Sequence, residues 1–461
     1  MNYTLGETIF KALQRCKPSC VEAKKLQSVA EQTLCLVKSY NSPKIVEIVF
    51  GGSFAKGTWL KCDADIDIFV KIAASTSLEE FEELGKRIGL KSLIEYKPNI
   101  RYSSHPYVEA YVRGVRVNVV PCYDVEKGRW KSAADRSPFH TQHIIDNLDQ
   151  EKKDQVRLLK KFLKRSGVYG AEIATSGFSG YVTEVLILKF GSFRAVLEEI
   201  SNMKAQLGPE KKQVISVEKV DEDIIKTFDS RLIIIDPVDP KRNLGAAISA
   251  ESIGRFVLAA RTFLARPSLD YFMESKRTSK YAVRFDNRLY QNLLVIEFIH
   301  SMRSPDVIWG QLKKSLRALS KQLEIADFKV IRSTCTTDEK KRAVFVFFLE
   351  SCKLWPYRDR IGPEILMKNA TDNFILKNQN NSILMWIDDE MRIRNLVKRK
   401  EVCAKHYLSL LLKERIKTSG ITSGLIGDVA QSFQIYTGDE RRIKGITRDA
   451  INKIIADDLI R

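Results

Sequence analysis

No stretch of the 461 residues stays apolar long enough to cross a membrane as a helix. The N-terminal MNYTLGETIFKALQRCKPSC has neither the apolar core nor the small-residue cleavage site of a secretory signal. A cytoplasmic location is the expectation. Paired C-x-x-C spacings are missing as well. The eight cysteines are scattered, so neither a zinc site nor a disulfide framework is predicted. Cys16 and Cys20, the nearest pair, read as two buried thiols one helical turn apart. Acid is scarce: 57 Asp and Glu face 76 Lys and Arg, a formal net charge of +19, with a pI near 9.4. A Lys-rich thermophilic surface usually carries matching acid, which is absent here. Such a chain draws polyanions to its surface, and nucleic acid is the default partner.

At 44% hydrophobic residues the composition is that of a globular protein, and 461 residues are long enough for two to four domains. Residues 5–40 have helical periodicity at Ile9, Leu13, Val29, Leu34 and Val37. A strand follows at 45–50, another at 64–72, and a Glu/Leu-rich helix at 77–90. A hairpin comes next, then a polar loop from Lys131 to Pro138, and this block closes near residue 145. From 146 to 266 the chain reads as mostly helical. Within it, 151–167 carries an apolar stripe at Val156, Leu159 and Leu163, with Gly167 as its stop. Its other face holds Lys153, Arg157, Lys160 and Lys164. Beyond, from 267 to 461, the pattern is mixed. YAVRFDN (281–287), a basic helix over 309–323, DFKVIRST (327–334) and RAVFVFFLES (342–351) predict a β-α-β-β order.

The segment that carries chemistry is GGSFAKGTWLKCDADIDIFV (51–70). Gly51-Gly52 lets the backbone turn sharply after a strand, and Ser53 is placed to cap the short helix beyond. Amides at a helix start suit phosphate, and Lys56 adds a cation one turn on. Asp65 and Asp67 stand two apart on a strand, so both carboxylates share one face while Ile66, Ile68 and Val70 face a core. Two such carboxylates repel and require a cation. Oxygen ligands at this density suit Mg²⁺. A phosphate cradle beside a carboxylate pair is the equipment of phosphoryl or nucleotidyl transfer.

VEAYVRGVRVNVVPCY (108–123) reads as the hairpin. Arg113-Gly114 makes a two-residue turn, closed by Val112 and Val115. Val108, Ala110, Val117 and Val119 then face one way. Glu109, Tyr111, Arg116 and Asn118 face the other, with Glu109 directly opposite Asn118.

G-S-x(9–13)-D-x-D is similar to the signature of the polymerase-β-like nucleotidyltransferases. GGSFAKGTWL, HPYV (105–108), VVPCY (119–123), KSAADRSPFHT (131–141), DQVRLLK (154–160), GVYGAE (167–172), GFSGYVTEVLI (177–187) and DPVDPKRN (236–243) narrow the resemblance to the archaeal CCA-adding enzymes. These are the class I tRNA nucleotidyltransferases. The resemblance implies an α+β fold with a polymerase-β-like palm over 1–145, a helical central domain over 146–266, and a C-terminal α+β RNA-binding domain over 267–461. It implies addition of C, C and A to the tRNA 3′ end from CTP and ATP, with Mg²⁺ as cofactor and a homodimer as a possible assembly. On its pattern Asp65 and Asp67 are metal ligands, and Ser53, Lys56, Lys160 and Tyr169 hold the triphosphate. His140 contacts the nucleotide and Arg242 helps read the base. The basic helix, with Lys313, Lys314, Arg317 and Lys321, is a candidate for contact with the RNA backbone.

The sequence departs from the family where its third metal carboxylate aligns with Asn118. An amide oxygen can ligate Mg²⁺ but brings no charge and accepts protons poorly. Glu109 or Asp63 substitutes, or Asn118 inactivates the site, or amide ligation works at a lower rate. If catalysis is lost, a protein that binds the tRNA acceptor end remains. A poly(A)-type nucleotidyltransferase is the nearer alternative activity.

Overall fold

The computed structural model describes residues 3–102, 105–203, 213–273, 287–438 and 443–455. The chain divides into two compact units, one built on residues up to Ser279 and one on Lys280–Asp457. No helix among the described residues is long and apolar enough to cross a membrane.

The first unit opens with α1 (Leu5–Cys16) and α2 (Cys20–Lys38), each started by a capping box, Thr4 with Glu7 and Ser19 with Glu22. Pro18 lies in the break between them. Cys16 and Cys20 therefore sit on different helices, and only Cys16 is buried, which corrects the expected pair of buried thiols. Next come β1 (Ile45–Gly51), α3 (Gly52–Lys56), β2 (Asp65–Ala73), α4 (Leu78–Ser92), β3 (Asn99–Tyr102), β4 (Pro106–Val112) and β5 (Val115–Asp124). The strands form one sheet in the order β1-β2-β5-β4-β3. Only the central β2–β5 pair is parallel. Alternation decides which face is buried: Ile66, Ile68, Val70, Ala110, Val112, Val117 and Val119 form one core with α2 and α4 residues. The polar set faces away from it.

Beyond the sheet lie α5 (Arg136–Asn147), α6 (Gln150–Arg165), α7 (Gly180–Phe190), α8 (Phe193–Ser201) and α9 (Glu222–Lys226). Two short parallel strands, β6 (Gln213–Ile215) and β7 (Leu232–Ile234), precede α10 (Ala250–Ala265). Phe162, Phe178, Phe193, Phe256 and Phe263 fill this second core. The helix α6 ends as expected, with Gly167 at φ +71°. Its basic face is partly covered, however: Arg157 and Lys160 are buried, while Lys164 is exposed.

The second unit contains β8 (Leu293–Ile299), α11 (Pro305–Ile325), β9 (Val330–Thr337) and β10 (Arg342–Leu349). A β-α-β-β order is present among the described residues, with LLVIEFI (β8) as its first strand. Residues 281–286 of the strand expected over 281–287 lie outside the described residues, and Asn287 opens a 3₁₀ turn. A smaller sheet follows from β11 (Tyr357–Glu364), α12 (Lys368–Asn378), β12 (Ser382–Ile387) and β13 (Arg392–Lys398), in the order β11-β13-β12. The unit closes with α13 (Ala404–Glu414), α14 (Ser423–Ser432), β14 (Gln434–Thr437) and α15 (Ile446–Ile455). The four-stranded sheet runs β14-β8-β10-β9. On α11, Ile308, Leu312, Leu319 and Leu323 are buried, while Lys314, Arg317 and Lys321 are exposed. Those three are one turn apart and form a basic line on the outer face.

The close approach of α4 to the sheet depends on missing side chains. A Cβ added at Gly89 would lie 2.4 Å from Val108 Cβ, whereas one at Gly6 on α1 meets nothing within 4 Å. Gly89→Ala is expected to destabilise the first unit by about 1–3 kcal/mol through overpacking. Gly6→Ala is expected to stabilise it by up to ~1 kcal/mol through helix propensity. Urea unfolding of the two variants beside wild type checks both signs.

Candidate active site

The turn after β1 sets the site. Gly52 has φ +64°, and a Cβ there would fall 1.8 Å from Asp67 Oδ2. Only glycine lets the α3 backbone lie directly against that carboxylate. Ser53 does not cap α3: the cap position is Gly51, without a side-chain bond, and Ser53 lies inside the helix. Asp65 and Asp67 share the polar face of β2, as their spacing predicts. Burial, the largest influence, raises the Asp67 carboxyl above its ordinary value, against a hydrogen bond from Asn118 that lowers it. A negative charge held there gains from a nearby cation.

The parallel register sets Asp65 beside Arg116 and Asp67 beside Asn118. Arg116 grips Asp65 with both prongs, its Nε donating to Oδ1 at 2.9 Å and its Nη2 to Oδ2. Asn118 Nδ2 donates to Asp67 Oδ1 at 2.8 Å. Asn118 Oδ1 is buried and has no hydrogen-bond partner among the described residues. Glu109 does lie opposite Asn118. Its carboxylate, however, accepts from Arg101 Nε and Nη2 at 3.1 and 3.0 Å. Asp63 is paired with Lys164. Among the described residues no third carboxylate, histidine or cysteine joins Asp65 and Asp67, so neither expected substitute reaches the pair. Two carboxylates and an uncommitted amide oxygen are an all-oxygen donor set that fits one hard cation.

A buried cluster stands behind α3. Glu184, on the otherwise apolar α7, is 1% exposed. It accepts from Lys56 Nζ at 2.8 Å, Thr58 Oγ1 at 2.6 Å and Lys160 Nζ at 3.3 Å. Lys160 also donates to Thr58 O and Oγ1 at 3.2 and 3.0 Å. Burial lowers the Lys160 ammonium below its ordinary value, and Glu184 opposes the shift. Tyr169 belongs to the same neighbourhood. A Cβ at Gly180 would lie 3.0 Å from its hydroxyl and 3.8 Å from Lys160 Nζ.

A second buried carboxylate, Asp236, gathers His140, Tyr181 and Arg242 around it. The loop KSAADRSPFHT does not stay a loop through Pro138. Asp135 accepts from the backbone N–H of Tyr123, Lys131 and Ser132 at 2.7–2.8 Å, and α5 begins at Arg136. His140 is therefore a helical residue. Its Nε2 lies 2.8 Å from Asp236 Oδ2, and its ring stacks on Tyr181 with centroids 3.9 Å apart. Burial lowers the His140 pKa, with Asp236 pulling the other way. Arg242 Nη1 approaches the same carboxylate at 3.4 Å and Tyr181 Oη donates to its other oxygen at 3.2 Å. Asp239 is held by Arg136 at 2.8 Å.

A mixed sheet with a Gly-Gly turn and an Asp pair on its polar face, backed by buried lysines, defines a nucleotidyltransferase, and the nucleotidyltransferase domain description matches residues 32–141. The fold is α+β of the polymerase-β-like type. The description "tRNA nucleotidyltransferase, second domain" matches 154–273, and "CCA-adding enzyme, C-terminal domain" matches 291–438. The chain is 37% identical to a CCA-adding enzyme of Sulfurisphaera tokodaii over 85% of this chain and 88% of that protein. For those of Saccharolobus solfataricus and Methanocaldococcus jannaschii the identities are 36% and 35%. They cover 80% and 81% of this chain, and 85% and 84% of those proteins. The chain belongs to the CCA-adding enzyme family. Among solved structures, a Cid1 poly(U) polymerase aligns with TM-score 0.44 and 15% identity, over 57% of this chain and 94% of that chain.

Sequence reading passed over Glu184 and Asp236 as site residues. The signal for Glu184 was its own oddity, a lone acid inside GYVTEVLILKF. Burial works to raise its carboxyl, but Lys56 and Lys160 hold it below the ordinary value. Glu184→Ala strands two buried ammonium groups and is expected to cost about 3–5 kcal/mol. A carboxylate with a depressed folded pKa contributes stability above its unfolded pKa and loses it as pH falls through the folded value. Urea unfolding at neutral and acid pH should therefore show the wild-type advantage over the variant shrinking in acid.

Proposed function

We propose that this protein adds C, C and A to the 3′ end of tRNA, without a template, from CTP and ATP. Family membership and one structural observation support the reading. That observation is the convergence of Lys56, Lys160 and Tyr169 behind the Gly51-Gly52 turn, which lies against Asp67 of β2. In the reaction the terminal 3′-hydroxyl loses its proton to solvent, its oxygen bonds to the α-phosphorus, the bond from that phosphorus to the oxygen bridging to the β-phosphate breaks, and pyrophosphate leaves. Lys56 and Lys160 hold the triphosphate by charge, with Ser53 and Tyr169 as further contacts. His140, fixed by Asp236 and stacked on Tyr181, contacts the nucleotide, and Arg242 reads the base edge. Asp65, Asp67 and the Asn118 oxygen are the residues that would hold Mg²⁺. When bound, the ion stabilises charge on the attacking and leaving oxygens.

The same proposal divides the chain into a palm over 1–145, a central helical domain over 146–266 and an RNA-binding remainder. The exposed Lys314, Arg317 and Lys321 contact tRNA phosphates, consistent with the charge of +19. A homodimer in the cytoplasm is the assembly and location that go with this activity.

Asn118 favours a slow enzyme over a fast one. Labelled CTP and ATP supplied with tRNA ending before CCA should yield a product longer by three nucleotides. Asn118→Asp should raise the rate by about 100-fold, the scale of restoring one electrostatic contact to a transition state. No incorporation by either protein would refute the enzyme. Incorporation by the variant alone, with equal tRNA affinity, would make the natural chain an acceptor-end binder. Long tails from ATP alone would indicate a poly(A)-type activity.

A further inference from the structure

The carboxylate face differs from a three-acid site in more than one missing charge. Asp65 is gripped at both oxygens by Arg116. That pairing is fixed by the parallel ladder, which sets Asp65 beside Arg116 and Asp67 beside Asn118. A guanidinium keeps its proton at any working pH, so this positive charge is permanent. Asp67 accepts the Asn118 amide at Oδ1 and packs Oδ2 against Gly52. The amide orientation is dictated, because the reverse would bring two acceptor oxygens 2.8 Å apart. Asn118 Oδ1 is thereby left over from the bond to Asp67, buried and without a hydrogen-bond partner among the described residues. The sheet neighbours cannot make up the charge. Glu109 is held by Arg101 and Asp63 by Lys164. Asp65, Asp67 and Arg116 together carry a formal −1, where an acid at 118 would make it −2.

Affinity of hard cations at oxygen sites follows the charge count of the ligands. The cation that arrives on the triphosphate brings anionic ligands of its own. A second one has to be held by the protein, and here it would meet a fixed guanidinium and a neutral amide. We infer that this chain takes one divalent cation, the one that accompanies the nucleotide, and that Arg116 supplies the positive charge a second ion would bring. The inference rests on the reading of Asp65 and Asp67 as metal ligands.

Mn²⁺ counting tests it without any turnover. The full-length protein is saturated with a non-hydrolysable CTP analogue and titrated with Mn²⁺, and bound ion is followed by electron paramagnetic resonance. Wild type should hold one Mn²⁺ per chain with no spin coupling between ions. Asn118→Asp should hold two, close enough for dipolar broadening. Two coupled ions in wild type, or one in both proteins, would overturn the inference. The wild-type count stands alone if the variant does not fold. Asp67→Asn separates this from the underlying reading. If it holds Mn²⁺ and analogue as tightly as wild type, Asp67 is not a ligand and the reading itself falls.

Discussion

One buried carboxylate with two ammonium partners holds the first unit's chemistry in place. Glu184 comes from α7, Lys56 from α3 and Lys160 from α6. Taking three charges out of water is costly unless each is matched, so these elements meet in one arrangement or not at all. Thr58, which bonds both Glu184 and Lys160, ties in the chain just after α3. The net charge of the trio is positive, so it offers attraction to a polyphosphate while remaining internally satisfied. On the proposed reading, the contact that stabilises the fold is also the one that draws the triphosphate.

The carboxylate side follows a related logic. Arg116, Arg101, Lys164 and Asn118 each take one acidic side chain near the sheet's polar face. A site neutralised from within is stable without metal. It also leaves less charge with which to hold one. Asn118 thereby turns a repulsive pair into a nearly complete hydrogen-bonded network, with one carbonyl oxygen left over.

The β-sheet was the most legible part of the chain. Period-two alternation in IVEIVF, ADIDIFV and the Val-rich hairpin has one solution, because a one-residue slip would put every valine into water. The pairing of Glu109 with Asn118 follows from the turn alone. What sequence did not reveal is who satisfies whom. Glu109 looked available to Asn118, but Arg101 comes from β3, an edge strand whose pairing no local pattern announces. The basic line on α6 was legible as a line, but spacing alone could not show that Lys160 is met by Glu184 and Arg157 by Asp154 and the backbone of Trp59. The expected loop ran on to Pro138, two residues into α5. Proline in the first turn of a helix is tolerated, and Asp135 supplies the loop closure that starts α5. The strand LLVIEFI was overlooked for a physical reason too: buried on both faces, it shows no alternation.

On the proposed reading, the nucleotide sits between the lysines of the buried cluster and the carboxylates of β2. A crystal structure of the wild-type protein with a non-hydrolysable CTP analogue and Mn²⁺, phased for anomalous signal, tests this most directly. The account predicts the triphosphate within reach of Lys56 and Lys160, and a Mn²⁺ peak against Asp67. A triphosphate bound elsewhere in the chain, with Asp67 still bonded only to Asn118, would contradict it.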